Sequence, residues 1–259
     1  MFAVIKKELK SYLLSPIGYI FIGLFLLMFS ILFYNSIFKA GVAYFQYAFY
    51  DASTIMTFLI PVLTMRMFSE ERKNGTEQLL LTSPRSITSI VLGKFFAAGI
   101  IMIITEALTL IYFAILKYFG NPSLLVALNT LLGFLLLSLA YISFGMFASS
   151  LPENQIVAAI ITIAFFLFVS FFQSSVGILS MFSLVSMFQK FPLGIIALKE
   201  VVGYLSFTVL FILLAVIFTL AIPVFAGEAG FDVTFKVGVG AENSTVELFI
   251  FDEILPFCL

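Results

Sequence analysis

Long apolar stretches are the feature that most constrains how this chain folds. Six of them carry few charged side chains, and they lie at about residues 16–38, 48–68, 87–116, 124–148, 155–172 and 201–225. A bilayer core is about 30 Å thick and takes about 20 apolar residues in helical form. Because lipid offers the backbone no hydrogen bonds, each stretch must satisfy its own amides and carbonyls. The sequence therefore predicts an all-α integral membrane protein with six transmembrane helices.

Composition narrows the functional classes. The chain is 62% hydrophobic and 10% charged, with a net charge of −1 and no histidine. The lack of excess positive charge argues against nucleic-acid binding, and the lack of histidine excludes Ser-His-Asp triads and His-based zinc protease sites. The stretch "LGKF" at 92–95 lacks the earlier glycine and the following Ser or Thr of a phosphate loop. We therefore expect no enzyme activity and no cofactor in this chain.

The first 15 residues have a helical pattern of their own. Four apolar side chains recur at helical spacing, while three lysines lie elsewhere on the wheel: Phe2, Ile5, Leu9 and Leu13 against Lys6, Lys7 and Lys10. Such a pattern predicts an amphipathic helix at the membrane surface over residues 1–15. The alternative is a solvated leader that only orients the first span.

Positive charge predicts the orientation of the bundle. With the N-terminus inside, eight basic residues lie in inner segments, namely Lys6, Lys7, Lys10, Arg66, Arg72, Lys73, Arg85 and Lys94. Four lie in outer loops, namely Lys39, Lys117, Lys190 and Lys199. Short cytosolic segments carry the excess of Lys and Arg, so the sequence predicts a cytosolic N-terminus.

The most charged segment lies between the second and third predicted spans. It holds Arg66, Glu70, Glu71, Arg72, Lys73 and Glu77. Gly75 ends the first charged run, as glycines do at helix ends. Thr76 then caps a second short helix with Glu77 in its first turn, Leu79 and Leu80 follow, and Pro84 ends it. An ordinary charged hairpin explains the composition equally well.

Two further segments complete the domain organisation. An apolar piece at 176–188 is too short to span a bilayer and predicts a re-entrant or surface-lying helix, within a segment at 176–190, before the sixth span. The tail, residues 226–259, is acidic, and apolar residues alternate along part of it, as in a small β-hairpin. The transmembrane domain is thus expected over residues 16–225, with the charged segment at 69–86.

Glu106 is the ionisable residue predicted to lie deepest in the membrane. It belongs to "IITEALTL" in the third span. A carboxyl group there is costly and suggests a function by default. The alternative is a neutral or hydrogen-bonded side chain inside the bundle.

The charged segment also carries a family resemblance. "RMFSEERKNGTEQLLLTSPRSITSIVLGKF", residues 66–95, resembles the loop after the second span in ABC-2 type transporter permeases. "FASSLPENQIVAAI", residues 147–160, resembles the loop between spans four and five in the gliding-motility-type branch of that family. "LKEVVGYLSF", residues 198–207, resembles the start of its sixth span. The acidic tail departs from the family pattern.

The resemblance implies a working arrangement. Members have six transmembrane helices, an N-terminal elbow helix, a cytosolic coupling helix between spans two and three, and re-entrant segments before span six. Two permease chains, identical or paralogous, pair with two ATP-binding subunits that hold the ATP and Mg²⁺. In this chain the coupling residues would be Arg66, Glu70, Glu71, Arg72, Lys73, Gly75, Thr76, Glu77, Leu79, Leu80 and Pro84. The expected location is the bacterial cytoplasmic membrane.

Three functions stay open on the sequence alone. The first is the permease subunit of an ABC exporter with an unidentified cargo. The second is a membrane scaffold of a gliding-motility or envelope assembly that docks an ATPase without moving cargo. The third is a proton-coupled transporter that works through Glu106, and Glu106→Gln should abolish its activity.

Overall fold

The structure is a computed structural model that describes residues 2–39, 41, 44–75, 86–172 and 183–228, with side chains as far as Leu220 except that of Phe38. These residues are helical apart from short connections, and no strand occurs among them. Six helical segments are long and apolar enough to cross a membrane: Pro16–Ile37, Gln46–Lys73, Ile87–Phe119, Leu124–Ser149, Gln155–Phe172 and Leu198–Leu220. The predicted all-α class and the six predicted spans are confirmed.

The helices are numbered here in chain order. They are α1 (Phe2–Leu14), α2 (Pro16–Phe33), α3 (Gln46–Thr64), α4 (Ser69–Lys73), α5 (Ile87–Phe119), α6 (Leu124–Ser149), α7 (Gln155–Phe172), α8 (Leu184–Phe188) and α9 (Leu198–Glu228). A π-helical turn, Tyr34–Phe38, extends α2, and a 3-10 turn, Phe191–Leu193, follows α8. The six candidate spans lie in one compact unit, Met1–Val224.

Phenylalanines four residues apart determine how α2 packs. Ser15 accepts a hydrogen bond from the amide of Ile17 and Pro16 occupies the first turn, so the helix begins there. One face then buries Phe21, Phe25, Phe29 and Phe33. The Phe29 ring lies 4.8 Å from that of Phe49 in α3, which in turn lies 5.0 Å from that of Phe134 in α6. Aromatic pairs at these distances add to the gain from apolar burial.

The second span is interrupted, although the sequence predicted one helix over 48–68. The α3 helix ends at Thr64, residues 65–68 form a turn, and α4 begins at Ser69. The turn brings α4 to the end of the bundle where α1 lies, α5 begins and α6 ends. This end is called the α4 end below.

The opposite end, called the α8 end, carries the segment before α9. Asn129 of α6 donates to the carbonyl of Phe191 at 2.9 Å, and the hydroxyl of Tyr204 donates to that of Leu184 at 2.6 Å. Lys190 and Glu200 form an ion pair beside them. Residues 184–190 of the predicted re-entrant segment therefore pack on α6 and α9. The first part of that segment and the predicted hairpin of the tail lie outside the described residues.

Candidate functional site

The predicted coupling residues fall into two groups in the structure. Arg66 lies in the turn after α3, and Glu70, Glu71, Arg72 and Lys73 lie in α4. Gly75 follows with a φ of +67°, in the left-handed region that favours glycine. The remaining five, Thr76, Glu77, Leu79, Leu80 and Pro84, lie outside the described residues. The geometry below therefore concerns residues 66–75, which are called the base of the charged segment.

The turn at 65–68 is held by the end of α6. The first amides of a helix have no acceptor within that helix, and α4 begins at Ser69 with Phe68 as its N-cap residue. The buried Ser149 hydroxyl lies 3.0 Å from the amide nitrogen of Phe68 and 3.3 Å from that of Ser69. It also lies within donating distance of the Met65 carbonyl, at 3.2 Å. These contacts fix the start of α4 against α6.

Arg66 connects the turn to the start of α2. Its guanidinium contacts both carboxylate oxygens of Glu70, at 2.7 and 3.1 Å. Its third nitrogen lies 3.4 Å from the hydroxyl of Ser15. The fork-shaped pairing fixes the orientation of the Arg66 side chain, and Ser15 joins this pair to the connection between α1 and α2.

Lys94, in the second turn of α5, is the most enclosed charge at this end. Its side chain is 3% exposed. The ammonium nitrogen lies 2.8 Å from the carbonyl of Met67, 2.7 Å from Glu71 Oε1 and 3.4 Å from Glu8 Oε1. Lys7 lies 3.4 Å from the same Glu8 oxygen. Lys7, Glu8, Glu71 and Lys94 are called the Lys94 cluster below.

The sequence does not predict the Lys94 cluster as a site. It indicates Lys94 as an inner positive charge and as part of the Leu-Gly-Lys pattern, and it gives no indication of a role for Glu8. The available signal was a lysine inside the otherwise apolar run "IVLGKFFAAGII". A lysine in such a run must pair with other groups or reach water, but the sequence did not identify its partners.

The α1 helix packs against α5 and α3 through a face that overlaps the predicted apolar one. Leu9 and Leu13 pack against the core, Val4 and Tyr12 are buried beside them, and Phe2 is 86% exposed. A Cβ on Gly93 would lie 2.6 Å from Val4 Cγ1, so glycine permits this close approach. The hydroxyl of Tyr12 lies 3.4 Å from the carbonyl of Leu63, and burial raises the Tyr12 pKa well above its usual value.

Arg72 and Lys73 lie beside the connection between α6 and α7. The Arg72 guanidinium donates to the carbonyl of Leu151 at 2.9 Å. Lys73 lines an open groove of about 380 Å³ together with residues of that connection and of the start of α7, namely Glu153, Asn154, Gln155 and Ile156. The α4 end thus presents a polar surface next to the charged segment.

Glu106 lies away from these residues. It follows Lys94 by twelve positions in α5, which is about 18 Å along a helix at 1.5 Å per residue. The side chain is 7% exposed, and its Oε1 atom has no hydrogen-bond partner among the residues that the structure describes. The structure therefore does not bring Glu106 together with the charged segment.

A family model described as "ABC-2 family transporter protein" matches residues 2–227. The comparison with curated proteins gave no match. The matched range contains α1, all six candidate spans and the whole charged segment.

Proposed function

The chain belongs to the ABC-2 family of transporter proteins, and we propose that it is the permease subunit of an exporter driven by a separate ATP-binding subunit. Membership makes it a multi-pass membrane subunit of an ABC transporter that works with such an ATPase. We propose in addition that transport runs outward across the bacterial cytoplasmic membrane and that the charged segment is where the ATPase binds. ATP and Mg²⁺ are held by the ATPase, and two permease chains pair with two ATPase chains.

One observation carries the proposed site of contact. The base of the charged segment is bonded to three other parts of the bundle: Ser149 in α6, Lys94 in α5 and Ser15 at the start of α2. A partner that pushes on the segment therefore pushes directly on the helices that cross the membrane. Such contacts are what a coupling element needs, because binding energy must shift the spans between two arrangements.

We divide the predicted coupling residues into two roles on the basis of their contacts and exposure. Glu71 and Arg66 have polar contacts within the bundle, so we assign them to fixing the segment. Lys73 is exposed on the outer side of α4 beside the groove. We assign contact with the ATPase to Lys73 and to the residues that follow Gly75, namely Thr76, Glu77, Leu79, Leu80 and Pro84.

A pull-down from native membranes tests the contact. The tagged chain is compared with a Lys73→Glu, Glu77→Lys double variant, which reverses both charges and keeps the net charge. Reversing both charges would place like charges opposite each other in an interface of complementary charge, which is strongly unfavourable, so the variant should recover less ATPase at physiological salt. Lys117→Glu is the control for a charge reversal away from the segment, because Lys117 is exposed in the last turn of α5, at the end of that helix opposite to Lys94.

The outcomes separate the functions. An ATPase that co-purifies with the wild type and responds to the chain with faster hydrolysis supports the transporter. An ATPase that binds but keeps its basal rate in every condition supports the scaffold instead. If no ATPase is recovered with the wild type, the proposed function is wrong.

Orientation has its own test. We propose that the N-terminus and the α4 end face the cytosol. In a background with Cys258→Ser, a cysteine at Asn74 should resist a membrane-impermeant maleimide added to intact cells, and a cysteine at Tyr118 should react. Both positions are exposed and lie near opposite ends of the bundle. The reverse labelling pattern would contradict the orientation.

A further inference from the structure

The Lys94 cluster joins segments that are far apart in the sequence. Glu8 belongs to α1, Met67 to the turn after α3, Glu71 to α4 and Lys94 to α5. We propose that Lys94 is a positioning residue for energy coupling, which fixes α1 and the base of the charged segment to the start of α5 so that they move together. This inference rests on the proposed function, since it concerns how movement of that segment reaches the spans.

The hydrogen bonding of Lys94 supports this role. An ammonium group has three N–H donors and no acceptor. Three acceptors surround it, namely the carbonyl of Met67 and one carboxylate oxygen from each of Glu71 and Glu8. The Phe68 ring also faces the nitrogen, 5.3 Å from its centroid, at a distance where a cation is attracted to the ring.

The charge balance makes the arrangement specific. The cluster contains two lysines and two glutamates, so its formal charges cancel. A buried ion pair contributes little net stability relative to apolar residues of similar size, because both charges lose their hydration. Its established use is to specify one arrangement among several, since an alternative would leave a charge buried without a partner.

Other contacts hold α1 on α5 and α3 without Lys94. Val4 packs against Gly93, and Tyr12 reaches the carbonyl of Leu63. Loss of the ammonium should therefore leave α1 on the bundle while freeing its position relative to α4. This separates a positioning role from a general role in folding.

Spin labels on α1 and beside α4 measure that relative position. In a background with Cys258→Ser, labels are placed at Ser11 and Asn74, which are both exposed. The distance distribution is recorded by pulsed electron resonance for the wild type, for Lys94→Met and for Lys117→Met. Lys117→Met removes an exposed lysine from the other end of the same helix. We expect a clearly broader distribution for Lys94→Met only.

Coupling is measured on the same proteins with the co-purified ATPase. Lys94→Met should retain the ATPase but reduce its stimulation by the permease at least about tenfold, within the range of known coupling effects. Lys117→Met should behave as the wild type. An unchanged distance distribution, or full stimulation despite a broad one, would overturn the positioning role.

Two further variants keep the test valid if Lys94→Met does not fold. Glu71→Gln retains an oxygen that accepts from Lys94, whereas Glu71→Leu removes it. We expect Glu71→Leu to broaden the distance distribution and Glu71→Gln to keep it narrow, and equal narrow distributions would overturn the proposal. If no ATPase binds the wild type, the proposed function fails, while the distances still decide whether Lys94 fixes α1 to α4.

Discussion

Gly145 of α6 and Thr64 of α3 lie so close that any side chain on the glycine would overlap the threonine. A Cβ on Gly145 would lie 2.9 Å from Thr64 Cβ and 3.1 Å from Thr64 Cγ2. Thr64 is fully buried and is the last residue of α3. This contact brings the two helices together just where the turn at 65–68 begins.

Gly145→Ala is therefore expected to destabilise the protein. Alanine raises helix propensity by up to about 1 kcal/mol, but overpacking in a core costs about 1–3 kcal/mol. We expect the overlap to dominate, with a net loss of about 1–2 kcal/mol in the free energy of unfolding, measured by denaturant titration in mixed micelles.

Matched variants check this explanation. Gly23→Ala in α2 meets no atom within 4 Å and should be neutral or slightly stabilising. Adding Thr64→Ala to Gly145→Ala removes Oγ1 and Cγ2 of Thr64, two of the three atoms nearest to the new Cβ. The double variant should therefore recover part of the lost free energy of unfolding. If the double variant is no better than Gly145→Ala alone, the contact with Thr64 is not the cause.

Ser149→Ala removes the acceptor of two buried amides. Phe68 and Ser69 would then have lost the hydroxyl that lies 3.0 and 3.3 Å from their nitrogens. Leaving buried donors unpaired costs about 1–3 kcal/mol, and we expect a loss of that size in the same titration. The neighbouring Ser150 hydroxyl donates to the carbonyl of Phe147 within its own turn, so Ser150→Ala should cost clearly less, and an equal cost would contradict the anchoring role.

A hydrogen bond joins α3 and α6 in the middle of the bundle. The hydroxyls of Thr57 and Tyr141 lie 3.1 Å apart, and both side chains are buried. Hydrogen bonds between membrane helices contribute about 0.6 kcal/mol on average and at most about 1.7. A double-mutant cycle of Thr57→Val and Tyr141→Phe should give a coupling energy of about 0.5–1.5 kcal/mol.

The control for that cycle replaces Thr57→Val by Thr219→Val. Thr219 donates to Ala215 within α9, so its loss and that of the Tyr141 hydroxyl should add without coupling. A coupling energy near zero for Thr57 and Tyr141 would mean that the two hydroxyls do not interact in the membrane.

The spans were predictable because the length of an apolar stretch is a local property of the sequence. The fifth span was predicted at 155–172 and is observed at Gln155–Phe172. The end of α3 was not predictable in this way. It depends on Ser149, about 80 residues later in the chain. The Ser149 hydroxyl accepts hydrogen bonds from two amides that would have donated within the helix if α3 had continued.

The sequence predicted coupling residues between Arg66 and Pro84. The structure places those up to Gly75 at the α4 end. The sequence predicted that these charges are present but not their contacts. It gave no means to pair Lys94 with Glu71 and Glu8, because the pairing depends on how α1, α4 and α5 pack. Charges that appear equivalent along the segment therefore differ, with Glu71 enclosed and Lys73 exposed.

Glu106 provides the last prediction. Its buried Oε1 atom has no partner among the described residues, and an unsatisfied buried polar atom costs about 1–3 kcal/mol. Glu106→Leu should therefore stabilise the isolated chain by about 1 kcal/mol or more, measured by denaturant titration in mixed micelles. Thr105→Val is the control, because Thr105 already donates to Ile101 and its loss should not stabilise. Destabilisation by Glu106→Leu would mean that the carboxyl group has a partner in the bundle, and would return it to consideration as a functional group.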